Sequence, residues 1–320
     1  MSGPLETMAI FDAFGAGFEY TPPEFVKKNL RRKKLVYLQH PKWKEISPGY
    51  YTDDTQMAIA LAELLLGSKP CSEWTHFDLA SAFVEAFHRD PRAGYAGGFY
   101  EVLRSICSGK TSAAIRGTQF LRTVRPHSNK NGGAMRAGVL GLLPKTTEAI
   151  DQAMFQASLT HATVVGMGSA AGSALMTHYF HYDLGSKEDL PEFLEDMLLG
   201  WEHGKPWKGR VLAPGWQAVR AALTAILEGG TLTDVLRLCV GFGGDTDTVA
   251  AIAGCAASGC GEIDQDLPEG LVEGLEDGPF GRGFLVSLDQ DLLRKFPGGQ
   301  EEEPADQDDL IGELAADWDS

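Results

Sequence analysis

Two short stretches concentrate oxygen donors: Thr52-Asp53-Asp54-Thr55 and Gly243-Gly244-Asp245-Thr246-Asp247-Thr248. Each precedes an apolar run with helical spacing, so one Asp or Thr in each has a role as a helix N-cap. Capping needs only one such residue and leaves the second carboxylate of each motif without a task. The glycine pair before Asp245 marks backbone that comes close to something else. If the motifs converge, four carboxylates share a small volume, and without a counter-charge some of them must be protonated. A divalent cation removes that difficulty. The donors are carboxylates and hydroxyls with no Cys or His among them, which favours Mg²⁺, Mn²⁺ or Ca²⁺ over Zn²⁺. Six donor residues, Thr52, Asp53, Asp54, Asp245, Asp247 and Thr248, are enough for two ions.

Other constellations are weaker. His178 and His181 stand at i, i+3, a spacing that suits a metal but is more often core or surface histidine. There is no H-E-x-x-H and no G-x-S-x-G, so zinc-protease and serine-hydrolase chemistry has no foothold. Thr163 through Ala171, TVVGMGSAA, imitates a strand followed by a dinucleotide-binding glycine fingerprint. No series of strands surrounds it, and the Rossmann reading is set aside.

The elements that must position these residues are helical almost throughout. Asp53–Leu66 runs from the first motif into MAIALAELLL, and Asp78–His88 places Leu79, Phe83, Val84 and Phe87 at helical spacing before Asp90-Pro91 stops it. Further helices are predicted at 97–108, 111–121, 132–143, 146–159, 189–201, 215–228, 231–240, 246–258 and 283–295. Two segments, His161–Tyr182 and Asp245–Gly259, are dense in Ala, Gly and Ser, which lets helix backbones approach and predicts the centre of a bundle. The expected fold is all-α, one domain over 8–297 followed by an acidic tail at 298–320. A long irregular segment from Tyr20 to Tyr51 carries Lys27, Lys28, Arg31, Arg32, Lys33 and Lys34. It is expected either to cover the site and attract an anionic substrate or to be a solvated basic face.

Bulk composition narrows the function classes. The net charge is −16, and nine of the acids lie in residues 300–320 without a Lys or Arg among them. They form a solvated appendage, with a short helix expected around 310–318. This balance does not suggest a nucleic-acid surface. Five cysteines without CxxC spacing point to free thiols in a reducing compartment, and no apolar run is long enough to span a bilayer. The cytosol is the expected location.

The motif order resembles the ADP-ribosylglycohydrolase family, over most of the chain and closest to its serine-ADP-ribosyl and poly(ADP-ribose) hydrolase branch. Asp12-Ala13-Phe14-Gly15 with Phe18-Glu19 is similar to the family's G-D-x-x-G helix and following acid. Thr52-Asp53-Asp54 matches its first metal motif, and Asp90 through Gly97 its glycine loop. Ser128 through Arg136, SNKNGGAMR, resembles its S-x-G-N-G-x-x-M-R, Thr160-His161 its T-H pair, and Asp245 through Thr248 its second metal motif. The resemblance implies an all-α fold and two Mg²⁺ ions, with Mn²⁺ as a substitute, held by the six donors named above. It implies ADP-ribose contacts from Gly94, Gly97, Ser128, Asn131, Gly132 and His161, and catalytic roles for Glu19, Asp53 and Asp54. Without the resemblance, Glu19 is an ordinary acid at a helix end. The implied substrate is an ADP-ribosylated protein or an ADP-ribose-containing small molecule. Two alternatives stand beside it: a non-catalytic ADP-ribose-binding or structural relative, and another Mg²⁺-dependent phosphohydrolase. Phe11 stands where the family has glycine, and Lys130 replaces the glycine of S-x-G-N-G.

Overall fold

The computed structural model describes residues 2–198 and 205–299. Most of the acidic tail, including the short helix expected at 310–318, lies outside them. Among the described residues there is no strand, only isolated bridges, and the fold is all-α.

Helix α1 (Pro4–Ala16) is buried along its whole length, and so is α12 (Thr246–Ala257). The two pack against each other at the centre, where Gly254 leaves room for the Phe11 ring: a Cβ there would lie 2.7 Å from the ring's Cγ. The bulk of Phe11 is thus absorbed by a gap on the opposite helix. Around this pair stand α3 (Asp53–Leu66), α8 (Val164–His181), α10 (Gly215–Glu228), α11 (Leu232–Phe242) and α14 (Arg282–Lys295). The small-residue segments of the sequence are α8 and α12, which touch each other, as their composition predicts. An outer layer comprises α2 (Pro23–Leu30), α4 (His76–Arg89), α5 (Gly97–Cys107), α6 (Ala113–Thr123), α7 (Thr146–His161), α9 (Leu190–Met197) and the short α13 (Glu269–Val272).

The predicted helix at 132–143 is not an α-helix. It is two 3₁₀ turns, Asn131–Gly133 and Gly138–Leu142, joined by hydrogen-bonded turns. The apolar pattern that predicted it is real, because Ala134 through Leu143 are almost all buried. The segment threads instead between α8 and α12: a Cβ at Gly141 would lie 2.3 Å from the Ala174 carbonyl, and one at Gly138 would lie 2.7 Å from Cys255 Sγ. Tertiary contact set its path against a weak helical propensity.

TVVGMGSAA opens α8, with Thr163 as N-cap accepting the Gly166 N–H at 3.0 Å. His178 and His181 bond the carbonyls of Gly141 and Phe296, each at 3.0 Å, and so brace the fold. All five cysteines are free. No helix among the described residues is long and apolar enough to cross a membrane.

Candidate functional site

Helices α3 and α12 both begin against the C-terminal half of α1. Asp12, fully buried on α1, holds the first turn of α3: its Oδ2 accepts the backbone N–H of Thr52 at 3.0 Å and of Thr55 at 3.2 Å, and the Thr55 hydroxyl at 2.6 Å. Its Oδ1 accepts the Thr52 hydroxyl at 2.9 Å. On the other side, Thr246 donates its hydroxyl to the Gly15 carbonyl at 2.8 Å, seating the first turn of α12 on α1. Two helix N-termini, each the positive end of a helix dipole, therefore converge on one volume.

Asp53, Asp54 and Asp247 are buried there, and Asp245 is partly buried beside them. Burial pushes the carboxyls of Asp53, Asp54 and Asp247 well above the usual carboxylate range, and mutual repulsion adds to it. Burial raises Asp245 as well, against bonds from Asp247, Asn131 and Thr248 that lower it. Asp12 reaches about 6, because desolvation outweighs its four hydrogen bonds. Thr248, from the second motif, lies close enough to Asp54 to lower it in part, so the two motifs are neighbours. Asp54 Oδ1 is buried with no hydrogen-bond partner.

The surrounding loops close on this cluster. Gly94 has φ +116°, and a Cβ there would lie 2.4 Å from Asp53 Oδ1, so only glycine lets the 90–97 loop reach the carboxylate. Gly97, by contrast, begins α5 with open space around it and no contact with the cluster. Asn131 donates its amide to Asp245 Oδ2 at 2.9 Å, tying the SNKNGG loop to the second motif. A strap at 211–215 reinforces that link. Val211 exchanges backbone bonds with Gly243 and Asp245, and Ala213 accepts the Asn131 N–H at 2.9 Å. Gly244, at φ +89°, passes so close to the Val211 carbonyl that a Cβ would fall 1.9 Å from it. That contact is what the glycine pair accommodates.

Ser128 accepts the Lys130 N–H at 3.2 Å and, through its carbonyl, the Thr163 hydroxyl at 3.1 Å. Lys130 itself is exposed. His161 lies under Gly132, where a Cβ would meet its ring at 3.0 Å. Arg136, 1% exposed, donates to Thr160 Oγ1 at 2.8 Å, and the Thr160 hydroxyl lies 2.7 Å from Nδ1 of His161. Burial, with Arg136 and Lys130 nearby, depresses His161 to about 3. Burial also brings Arg136 down to about 9, which leaves it charged at neutral pH and within electrostatic reach of Asp53.

Glu19 follows α1 and stands at the edge of the cluster. Its Oε2 is 2.8 Å from His40 Nε2, and donor atoms of Glu19, His40 and Asp247 lie within 4.8 Å of one another, a spacing that by distance alone suits a metal ion. Tyr20, next in the chain, has φ +51° and donates its N–H to the Gly244 carbonyl at 2.8 Å. Sequence reasoning assigned no site role to Asp12 itself, His40, Arg136 or the 211–215 strap. Asp12 and Arg136 stand inside motifs that carry the family resemblance, whereas His40 is a loop histidine that only burial distinguishes. The six cations from Lys27 to Lys34 are all exposed and form no ion pair among the described residues.

Comparison with known proteins gives the family. The chain is 27% identical over 277 residues to human ADP-ribosylhydrolase ARH3, covering 71% of this chain and 75% of that one. It is 25% identical over 293 residues to the ADP-ribosyl-[dinitrogen reductase] glycohydrolase of Rhodospirillum rubrum, covering 86% and 89%. A solved ADP-ribosylglycohydrolase-related protein complex contains a chain of the same fold, with TM-score 0.59 and 20% identity over 91% of this chain and 96% of that one. The family profile for ADP-ribosylglycohydrolase matches residues 8–302, and the chain belongs to that family of glycosyl hydrolases.

Proposed function

We propose that the chain is a Mg²⁺-dependent hydrolase that cleaves the ribosyl C1″ bond of an ADP-ribosylated acceptor, a protein side chain or an ADP-ribose chain, and releases ADP-ribose. Family membership and relatives named for ADP-ribosyl hydrolysis support the substrate class. The observation that carries the mechanism is the gathering of Asp53, Asp54, Asp245 and Asp247 at two helix N-termini, all raised by burial. Such a cluster stays ionised only beside added positive charge. The donor set of the two motifs is all oxygen, and the unpartnered Asp54 Oδ1 is a free ligand atom. These features fit Mg²⁺, with Mn²⁺ as a substitute.

In this proposal Thr52, Asp53, Asp54, Asp245, Asp247 and Thr248 hold two ions, which when bound supply charge that orients ribose hydroxyls and a water. The chain does the rest. The carboxylates of Asp53 and Asp54 favour the positive charge that develops at C1″, and one of them helps to move a proton. Glu19 takes a proton from the attacking water or delivers one to the leaving group. Gly94, Gly97, Ser128, Asn131, Gly132 and His161 bind ADP-ribose, with the His161 ring neutral. Five free thiols suit a cytosolic place of work.

The test is incubation with serine-linked, arginine-linked, nucleobase-linked and polymeric ADP-ribose, with Mg²⁺ and with EDTA, scoring the product. Free ADP-ribose that requires Mg²⁺ supports the proposal. Release of phosphate or AMP makes the chain a phosphohydrolase, and ADP-ribose binding without turnover of any linkage makes it a non-catalytic relative.

A further inference from the structure

His40 lies between α2 and α3, outside either acidic motif, and is 1% exposed. The next residue is Pro41, which has no N–H to give. The two after it do: the backbone N–H groups of Lys42 and Trp43 both point to His40 Nδ1, at 3.1 Å each. A ring nitrogen that accepts cannot also carry a proton, so the hydrogen of this imidazole is on Nε2. Protonating Nδ1 would break both bonds inside a buried loop.

That tautomer decides between two roles. Glu19, His40 and Asp247 bring donor atoms within 4.8 Å of one another, which by distance alone is a nitrogen-containing metal site. An Nε2 that bears hydrogen has no lone pair to offer a cation. Nor does Nε2 make a well-directed hydrogen bond, although it stands 2.8 Å from Glu19 Oε2. Its proton therefore meets the carboxylate in a close, off-line electrostatic contact. Glu19 needs such a contact. It lies beyond the end of α1 with its side chain 21% exposed, so water competes for it. Its backbone is fixed on the other side, where the Tyr20 N–H binds Gly244. The imidazole supplies the missing restraint on the side chain.

We propose that His40 is a positioning residue that holds the Glu19 carboxylate beside Asp247, and that it is not a metal ligand. This rests on the hydrolase reading above only for its kinetic consequence. The loop cap and the contact with Glu19 are separable by substitution. In His40→Asn the amide oxygen replaces Nδ1 as acceptor for Lys42 and Trp43, but the side chain ends short of Glu19. In His40→Gln an amide N–H reaches toward the place of Nε2.

Purified wild type, His40→Asn and His40→Gln are compared in steady-state hydrolysis of ADP-ribosylated peptide, in calorimetric titration with Mg²⁺, and in crystal structures. For His40→Asn we expect kcat to fall about tenfold to a hundredfold, the scale of a misplaced proton-transfer group. KM, Mg²⁺ affinity and melting temperature stay near wild type, the Glu19 carboxylate turns away from Asp247, and His40→Gln recovers part of kcat. Wild-type kcat in His40→Asn means that His40 only caps its loop, and lost Mg²⁺ affinity means that it is a ligand. Either overturns the proposal. If wild type itself hydrolyses nothing, the hydrolase reading falls, and the crystal structures still decide: an unmoved Glu19 in His40→Asn overturns the positioning role.

Discussion

Asp12 and Thr52 are joined twice, through the backbone N–H at 3.0 Å and the hydroxyl at 2.9 Å, although forty residues separate them in the chain. One carboxylate on the central helix thereby sets the first turn of α3, from which Asp53 and Asp54 project. Removing it strands the donors of Thr52 and Thr55 in a buried site. Asp12→Ala should lower unfolding free energy by about 3 kcal/mol, because each buried unpaired donor costs roughly 1–3 kcal/mol. Urea denaturation with an unchanged slope measures this, and a loss too small to resolve would show that the turn holds itself.

Metal should stabilise the folded chain independently of turnover. A ligand that binds only the folded state at a hundred times its Kd adds about 2.7 kcal/mol. Saturating Mg²⁺ is therefore expected to raise the melting temperature over EDTA, and EDTA to abolish hydrolysis. Equal melting temperatures with and without Mg²⁺ would remove the basis for the metal site.

Asp53→Asn and Asp247→Asn separate charge from shape. Each should reduce turnover by about a hundredfold or more, the scale of lost electrostatic stabilisation at a reacting centre. Both replace a carboxylate that burial and its neighbours disfavour. In EDTA the variants should melt no lower than wild type, while the rise caused by Mg²⁺ shrinks. A variant that melts far below wild type in EDTA would mark that Asp as a structural residue.

His161 should couple stability to pH. Its folded pKa of about 3 lies below the unfolded 6.5, so between those values the unfolded chain binds the extra proton. The stability contributed by keeping the ring neutral and buried is complete above about 6.5 and is lost as pH falls toward 3. The stability difference between wild type and His161→Gln should accordingly narrow from pH 7 to pH 5. Denaturant titrations at the two pH values test this, and a constant gap would mean that the ring charges freely in the folded state.

The exposed cations of Lys27 to Lys34 remain available for an anionic substrate. Their segment starts and ends at the site, with Glu19 and Tyr20 before it and His40 after it. Lys33→Gln with Lys34→Gln should raise KM and flatten its dependence on salt while kcat holds, because steering by exposed charge is screened. An unaltered KM from low to moderate salt would leave these residues as solvated surface.

Where local pattern and tertiary demand coincide, the sequence was sufficient. Asp53–Leu66 is a helix over the predicted residues because a Thr N-cap, two acids in the first turn and an unbroken apolar run all favour it. Residues 215–228 are also helical over the predicted range, and 146–159 nearly so, running on to His161, though neither has a side-chain cap and periodicity alone marks them. The two acidic motifs were legible because a surplus of carboxylates beyond capping is visible without any partner. Gly244 was legible as a close approach, though not what it approaches.

Other features follow from three-dimensional proximity alone. Residues 131–142 carry an apolar pattern that suits a helix, yet Gly138 and Gly141 press against α12 and α8, and the chain turns tightly instead. Asp12 stands in a motif legible by resemblance, but its task of holding the start of α3 shows only once that helix packs onto it. His40 is an isolated loop histidine in the sequence. Two backbone N–H groups fix its tautomer, and its Nε2 lies 2.8 Å from Glu19 twenty-one residues earlier; neither relation leaves a mark in residue spacing. Periodicity reports which face of an element is buried. Only the folded chain determines which buried polar groups meet, since each must find its partner in whatever element packs against it.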